Sequence, residues 1–335
     1  MSKQPLIYDL SFDELEDYAK TQSLPSYRAK QIWEGLYKQC WQDSDEFTNL
    51  PVAMRNQLDQ DFSFTALDVR VALNSKDRQT TKTLYALEDG NLIETVLMLY
   101  DDRATVCVSS QAGCALGCTF CATGQMGLRR NLTTGEIIEQ ILRFARQMKD
   151  QGKDLTNVVF MGMGEPFHNY DAVMQAIDRL NDSTGFNMGA RRFTVSTVGL
   201  VPGIKRYTKE QRQSGLAISL HAAEDKLRSE MIPVNKRYPI QDLIAACQDY
   251  LANGGRRITF EWALIEGVND TPEQAHKLAN LIKGMNTHVN VIPLNPTRGY
   301  AGKRSSRERV SSFREIIESY GISCTVRVRR GIDIM

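Results

Sequence analysis

The sequence predicts an α/β fold: a partial (β/α)6 barrel, preceded by a small helical domain and a short antiparallel β extension. Three observations predict it. After residue 104, short apolar runs alternate with longer helical stretches six times; before residue 62 the period is helical; between the two it is that of strands.

In chain order, Ser11 and Glu14 form a capping box ahead of Leu15 and Tyr18, and Pro51 opens another amphipathic stretch. Between them Tyr27, Arg28, Lys30, Gln31, Trp33, Tyr37 and Lys38 interleave cations with aromatics. On a short helix this reads as a packed aromatic face with a solvated basic rim. Residues 67–73, 83–87 and 92–99 read as strands, the last two joined across Asp89-Gly90. The barrel strands are expected at 105–109, 157–161, 192–196, 216–220, 257–263 and 289–293. Thr133 and Glu136 cap the first barrel helix, which puts the segment between Cys107 and Thr133 on a loop of the catalytic face. The expected domains are therefore 1–62, helical; 63–103, antiparallel; and 104–335, the barrel.

Composition narrows the class. Hydrophobic residues make up 42% and charged residues 24%, as in ordinary globular proteins, and no apolar run is long enough to span a bilayer. The first residues carry a lone Lys3 and no apolar secretion signal, so the cytoplasm is the expected location. Of seven cysteines, four lie between Cys107 and Cys121, while Cys40, Cys247 and Cys324 are scattered. That is no disulfide framework; clustered thiols in a reducing compartment point to metal binding or catalysis.

Cys114, Cys118 and Cys121 have the spacing C-x3-C-x2-C, with Phe120 before the last and Gly113, Gly117 and Gly124 allowing a tight loop. A structural zinc site takes four ligands, and no second Cys or His pair follows at suitable spacing. Three thiolates on a 4Fe-4S cluster would leave one iron open for an exogenous ligand. The plain alternative is three small buried residues on a turn.

This spacing resembles the signature of the radical S-adenosylmethionine (SAM) superfamily, so the predicted barrel is a radical SAM barrel. The surroundings narrow the resemblance. Cys107-Val-Ser-Ser-Gln-Ala-Gly-Cys114, Cys121-Ala-Thr-Gly, Arg130-Asn131-Leu132, Gly162-Met-Gly164-Glu165-Pro166, Ser196-Thr197, Ser219-Leu220-His221-Ala222 and Pro293-Leu294-Asn295-Pro296 resemble the RlmN/Cfr family of RNA adenine methyltransferases. The resemblance implies a 4Fe-4S cluster on Cys114, Cys118 and Cys121, and SAM held by Gly164, Glu165, Ser196, Ser219, Leu220, His221 and Asn295. Glu165 can pair with the SAM ammonium. Singly, Ser196 and Ser219 could cap helices, Asn295 could hold a turn, and His221 could be a satisfied core histidine.

Adenine ring carbons such as carbon 2 are not nucleophilic, so one-electron chemistry fits that substrate. In the family, a cysteine near the C-terminus is methylated by SAM, and a radical formed on that methyl group adds to the base. Cys107 corresponds to a second cysteine that resolves the adduct, and Glu94 to a glutamate proposed as proton acceptor. The family pattern Gly-x-Asp-Ile, followed shortly by the methyl-accepting cysteine, reaches Gly331-Ile332-Asp333-Ile334-Met335 here and stops. Cys324 precedes that motif, in an expected strand over 323–328, and does not take the role. The expectation is a shortened chain that binds cluster and SAM without methylating.

Formal net charge is +1, yet Arg298, Lys303, Arg304, Arg307 and Arg309 face only Glu308 across residues 298–309. With Arg327, Arg329 and Arg330 they form a candidate phosphate track near the barrel mouth. By resemblance the partners are 23S rRNA and tRNA, with flavodoxin or ferredoxin as electron donor; a monomer is expected because one barrel with its own accessory domain needs no partner to close its site. Ala112 before Gly113-Cys114 favours carbon 2 over carbon 8. The rival readings are a radical SAM enzyme with a non-RNA substrate and a non-enzymatic metal-bearing RNA-binding module.

Overall fold

The structure, a computed structural model, describes residues 4–295, 297–327 and 331–334. Twelve strands follow in chain order: β1 (Leu67–Asn74), β2 (Thr80–Leu87), β3 (Leu92–Leu99), β4 (Ala104–Cys107), β5 (Gln111–Gly113), β6 (Leu128–Asn131), β7 (Asn157–Phe160), β8 (Phe193–Thr197), β9 (Gly215–Ser219), β10 (Ile258–Leu264), β11 (Thr287–Pro293) and β12 (Ser323–Val326). Ten of them form one sheet in the order β1-β2-β3-β4-β7-β8-β9-β10-β11-β12. Pairing is antiparallel from β1 to β4 and parallel from β4 to β12.

The six expected barrel strands are all present, and β12 adds a seventh parallel member at one edge. Helices connect the parallel strands, as parallel pairing requires. The antiparallel unit is continuous with the barrel sheet, because β3 pairs with β4 from Val96↔Cys107 to Leu99↔Ala104. Side chains alternate in β11: His288, Asn290 and Ile292 are half-buried on the concave face, while Val289 and Val291 are fully buried beneath the helices. Burying a side chain of that size contributes about 1.5–3 kcal/mol. Repeated in Val106, Val158, Phe160, Phe193, Val195, Ile218, Phe260 and Trp262, it makes the helix–sheet layer the main core.

The N-terminal helices Phe12–Thr21, Tyr27–Trp33 and Val52–Asp61 pack around Tyr8, Trp33, Tyr37 and Phe47, all buried. The Ser11–Glu14 capping box forms as expected. Trp33 and Tyr37 lie in the core 4.2 Å apart between ring centroids, Lys30 and Lys38 are exposed, and only Tyr27 of the interleaved aromatics faces solvent. The unit is fastened to the first barrel helix, Thr134–Asp150: Gly135 N donates to Asp9 Oδ1 at 2.7 Å, and Arg146 makes a two-pronged pair with Glu46. Thr133 and Glu136 form the capping box of that helix. Among the described residues, no helix is long and apolar enough to cross a membrane.

Candidate active site

A cavity of about 330 Å³ opens at the C-terminal ends of the parallel strands. Its lining brings together Cys114, Cys118, Cys121, Gly164, Glu165, Ser196, Ser219, His221 and Asn295 from five separate stretches of chain. This is the end of a β/α sheet at which loops collect. Of the residues expected to hold SAM, Leu220 is absent from the lining; its side chain is fully buried in the core.

The cysteines sit on the arm between β4 and the first barrel helix. The hairpin β5–β6 clamps both ends of that arm, with Gln111 opposite Asn131 and Gly113 opposite Leu128. Cys114 N donates to Gly127 O at 3.0 Å, and Thr119 N donates to Met231 O at 3.0 Å, which ties the tip to the far wall. Burial pushes the Cys114 thiol up to about 11 and the Cys118 thiol to about 12, with neighbouring cysteines and Glu165 adding in the same sense. They are therefore neutral thiols unless a metal displaces their protons. Among the described residues, no three His, Cys, Asp or Glu side chains are spaced to hold a metal ion. The donor chemistry fits a sulfur-ligated iron cluster: three soft ligands on one cavity wall.

The opposite wall is built from satisfied polar groups. Glu165 Oε1 accepts from Phe167 N at 3.0 Å and Oε2 from Val198 N at 2.9 Å, while its own N–H donates to Gln111 Oε1. Burial raises its carboxyl to about 7 against the pull of those donors. Gly164 has φ +106°, and a Cβ there would lie 2.7 Å from the Gln111 Cβ, so only glycine brings this loop so close. Ser196 Oγ and Ser219 Oγ are 3.4 Å apart on adjacent strands. His221 Nδ1 accepts from Ala263 N at 2.9 Å, so the ring's other nitrogen, Nε2, carries the proton. Burial and nearby Arg228 hold the imidazole down to about 3, hence neutral.

Three supporting residues are not signalled by the sequence. Arg228, fully buried, donates to the main-chain oxygens of Val198, Ser219 and Leu220 and to Asn235 Oδ1. Asn269 donates to His221 O and Ala263 O and accepts from Ile265 N. Glu261 lines the cavity; Asn290 Nδ2 donates to its Oε2 at 2.8 Å, and burial raises its carboxyl to about 7 while Arg327 opposes. None belongs to a short motif; the one available signal is a polar residue inside an otherwise apolar strand, as in Thr-Phe-Glu261-Trp.

Cys107 and Glu94 do not line this cavity. They share the concave face of the neighbouring strands, where Cys107 is paired with Val96, two residues from Glu94. Burial raises the Cys107 thiol while Arg327 lowers it, and the Glu94 carboxylate is ion-paired with Lys82 at 2.7 Å. Arg298, Lys303, Arg304, Arg307 and Arg309 are exposed on the segment after β11. Arg327 departs from that group and lies half-buried in the cavity wall; Pro296, Arg329 and Arg330 lie outside the described residues. A separate cavity of about 400 Å³, near Tyr37, Lys149 and Arg192 at the other end of the strands, holds none of the expected site residues.

Comparisons with known proteins bear on the same architecture. The Radical SAM superfamily matches residues 108–279, and the ribosomal RNA large subunit methyltransferase N-terminal domain matches residues 7–63. A probable dual-specificity RNA methyltransferase RlmN of Chloroflexus aurantiacus is 47% identical, covering 99% of this chain and 91% of its own. The chain belongs to the RlmN family of radical SAM RNA methyltransferases.

Dual-specificity RNA methyltransferase RlmN 1 of Myxococcus xanthus is 48% identical over 98% of this chain and 91% of its own. A crystal structure of a radical SAM methyltransferase from Sphaerobacter thermophilus superposes with a TM-score of 0.96 at 50% identity, covering 98% of this chain and 97% of that one. The hydrogenase maturase HydG of Carboxydothermus hydrogenoformans, at TM-score 0.51 and 15% identity over 68% of this chain and 54% of its own, shares the fold alone. RlmN-family membership makes the chain an enzyme and implies a 4Fe-4S cluster and SAM.

Proposed function

We propose that this enzyme methylates carbon 2 of an adenosine in 23S rRNA and of an adenosine in tRNA. The observation that carries the reading is the single cavity in which the three cysteines of the C-x3-C-x2-C loop meet Gly164, Glu165, Ser196, Ser219, His221 and Asn295. The relatives named as dual-specificity RNA methyltransferases support the choice of RNA substrates.

In this reading Cys114, Cys118 and Cys121 hold the cluster, and the opposite wall holds SAM. Together these cofactors supply the one-electron chemistry that an unreactive ring carbon needs. Glu165 accepts from the ligand's ammonium on the lone pairs its two backbone donors leave free, and those donors fix its position. Ser196 and Ser219 offer hydroxyls to the nucleoside, and neutral His221 offers its Nε2 proton. Cys107, kept as a thiol by burial, holds a proton on the concave face until the adduct is resolved, and Glu94 accepts the proton lost by the base. The exposed cations between Arg298 and Arg309 grip phosphates at the mouth, and the helical domain of residues 1–62 extends that grip. A flavodoxin or ferredoxin delivers the electron to a monomeric enzyme in the cytoplasm.

Mass spectrometry of nucleosides from ribosomal and transfer RNA, with and without the gene, tests the reading. Loss of 2-methyladenosine on deletion is expected. Loss of 8-methyladenosine instead would move the reaction to carbon 8, and unchanged levels of both would overturn RNA methylation.

A further inference from the structure

Two charged groups in the cavity are left over by the roles above. Glu261, on β10, is only 4% exposed, and Arg327, just past β12, lines the same cavity. They are held by other partners. Glu261 takes its bond from Asn290, while Arg327 N donates to Val291 O at 2.8 Å and its Nη2 rests 3.7 Å from Met98 Sδ.

A polar chain sets the direction of the carboxylate's bond. His288 Nε2 lies 2.8 Å from Thr325 Oγ1, Thr325 Oγ1 donates to Asn290 Oδ1 at 3.3 Å, and the Asn290 amide therefore turns its Nδ2 toward Glu261. Glu261 stands in register with Ser219 on one side and Asn290 on the other, so the carboxylate continues the polar row begun by Ser196 and Ser219.

An ionised carboxylate only accepts hydrogen bonds, and a guanidinium only donates them. The complement of the pair is a flat group with a donor beside an acceptor. On the N7 edge, adenine is the RNA purine that presents this pattern, its exocyclic amine beside the N7 ring nitrogen; guanine and inosine present an oxo group beside N7, which would face the carboxylate with a second acceptor. We propose that Glu261 and Arg327 read an adenine edge, the carboxylate accepting from the amine and the guanidinium donating to the adjacent ring nitrogen. The inference rests on the proposed function, since both the target nucleotide and SAM carry an adenine.

The test uses the full chain with its cluster reconstituted and compares wild type, Glu261→Gln and Arg327→Gln in two binding measurements. The first is affinity for a hairpin RNA with one loop adenosine, against the same hairpin carrying inosine or purine riboside at that place. The second is equilibrium dialysis of SAM. A site built to pair both groups should prefer adenosine to inosine by about tenfold or more, with purine riboside between. Glutamine at 261 can donate to the inosine oxo group, so the ratio should fall toward one, while Arg327→Gln weakens adenosine binding.

A collapsed ratio with unchanged SAM affinity assigns the edge to the RNA nucleotide. A fall in SAM affinity with RNA discrimination intact assigns it to SAM. If both variants fold, by circular dichroism, and leave both measurements unchanged, the inference is wrong. Failure of the wild type to bind the hairpin in a salt-sensitive way would instead overturn the RNA reading, and the dialysis arm would still decide whether the pair reads SAM.

Discussion

The two walls of the cavity are built by opposite rules. On the β7–β11 side, the polar groups Glu165, His221, Arg228, Asn269 and Glu261 are buried, and each has a protein partner. Across from them, the loop of Cys114, Cys118 and Cys121 is anchored through its main chain, and burial holds the Cys114 and Cys118 side chains as neutral thiols. The difference teaches which part folding alone completes. A wall of satisfied polar groups is fixed when the chain folds; a wall of thiols would be completed only when a bound metal displaces their protons to solvent.

Breaking the thiol wall should give the largest functional effect and the smallest structural one. Cys118→Ala is expected to abolish the visible absorbance of the iron-reconstituted chain while leaving its metal-free thermal midpoint within a few degrees of wild type. A collapse of the metal-free fold would erase the contrast.

Arg228→Met should do the reverse. It strands three buried carbonyls and Asn235, at a cost of about 3 kcal/mol or more in urea unfolding of the metal-free chain. Lysine at 228 should rescue little, because one ammonium cannot span the same four acceptors. Asn269→Ala should cost less, about 2 kcal/mol, and should also free the loop bearing His221, seen as faster amide exchange there.

The smallest effect is a pH slope. The Glu261 carboxyl titrates near 4.5 in the unfolded chain and near 7 when folded, so the folded state binds its proton more tightly in between. Its contribution to stability is therefore present below about 4.5 and lost as pH rises through 7. Glu165 acts in the same sense; His221, held down to about 3, acts oppositely, losing stability as pH falls below 6.5. Glu261→Gln should flatten the fall between those limits relative to wild type, read from urea midpoints across pH; an unchanged slope would show that the carboxylate is not protonated in the folded chain.

What was legible in the sequence follows the same division. The strands of the barrel were readable because their apolar runs lie between helices with caps such as Thr133–Glu136, and the cysteine loop because its spacing is local. The hairpin β5–β6 was not, since strands of three and four residues carry too little periodicity to register. Arg327 was misplaced among surface cations because nothing in the sequence shows which face of a short edge strand turns inward. Arg228, Asn269 and Glu261 were invisible for a related reason. Their partners lie on other strands and loops, and a lone polar residue in an apolar run acquires meaning only when the sheet brings its partner alongside.

The most direct test of the account is electron paramagnetic resonance of the reduced, iron-reconstituted chain before and after SAM is added. The account predicts a cluster signal whose shape changes on addition of SAM, because a cluster held by only three cysteines would leave one iron open to a ligand. A cluster signal indifferent to saturating SAM would contradict it.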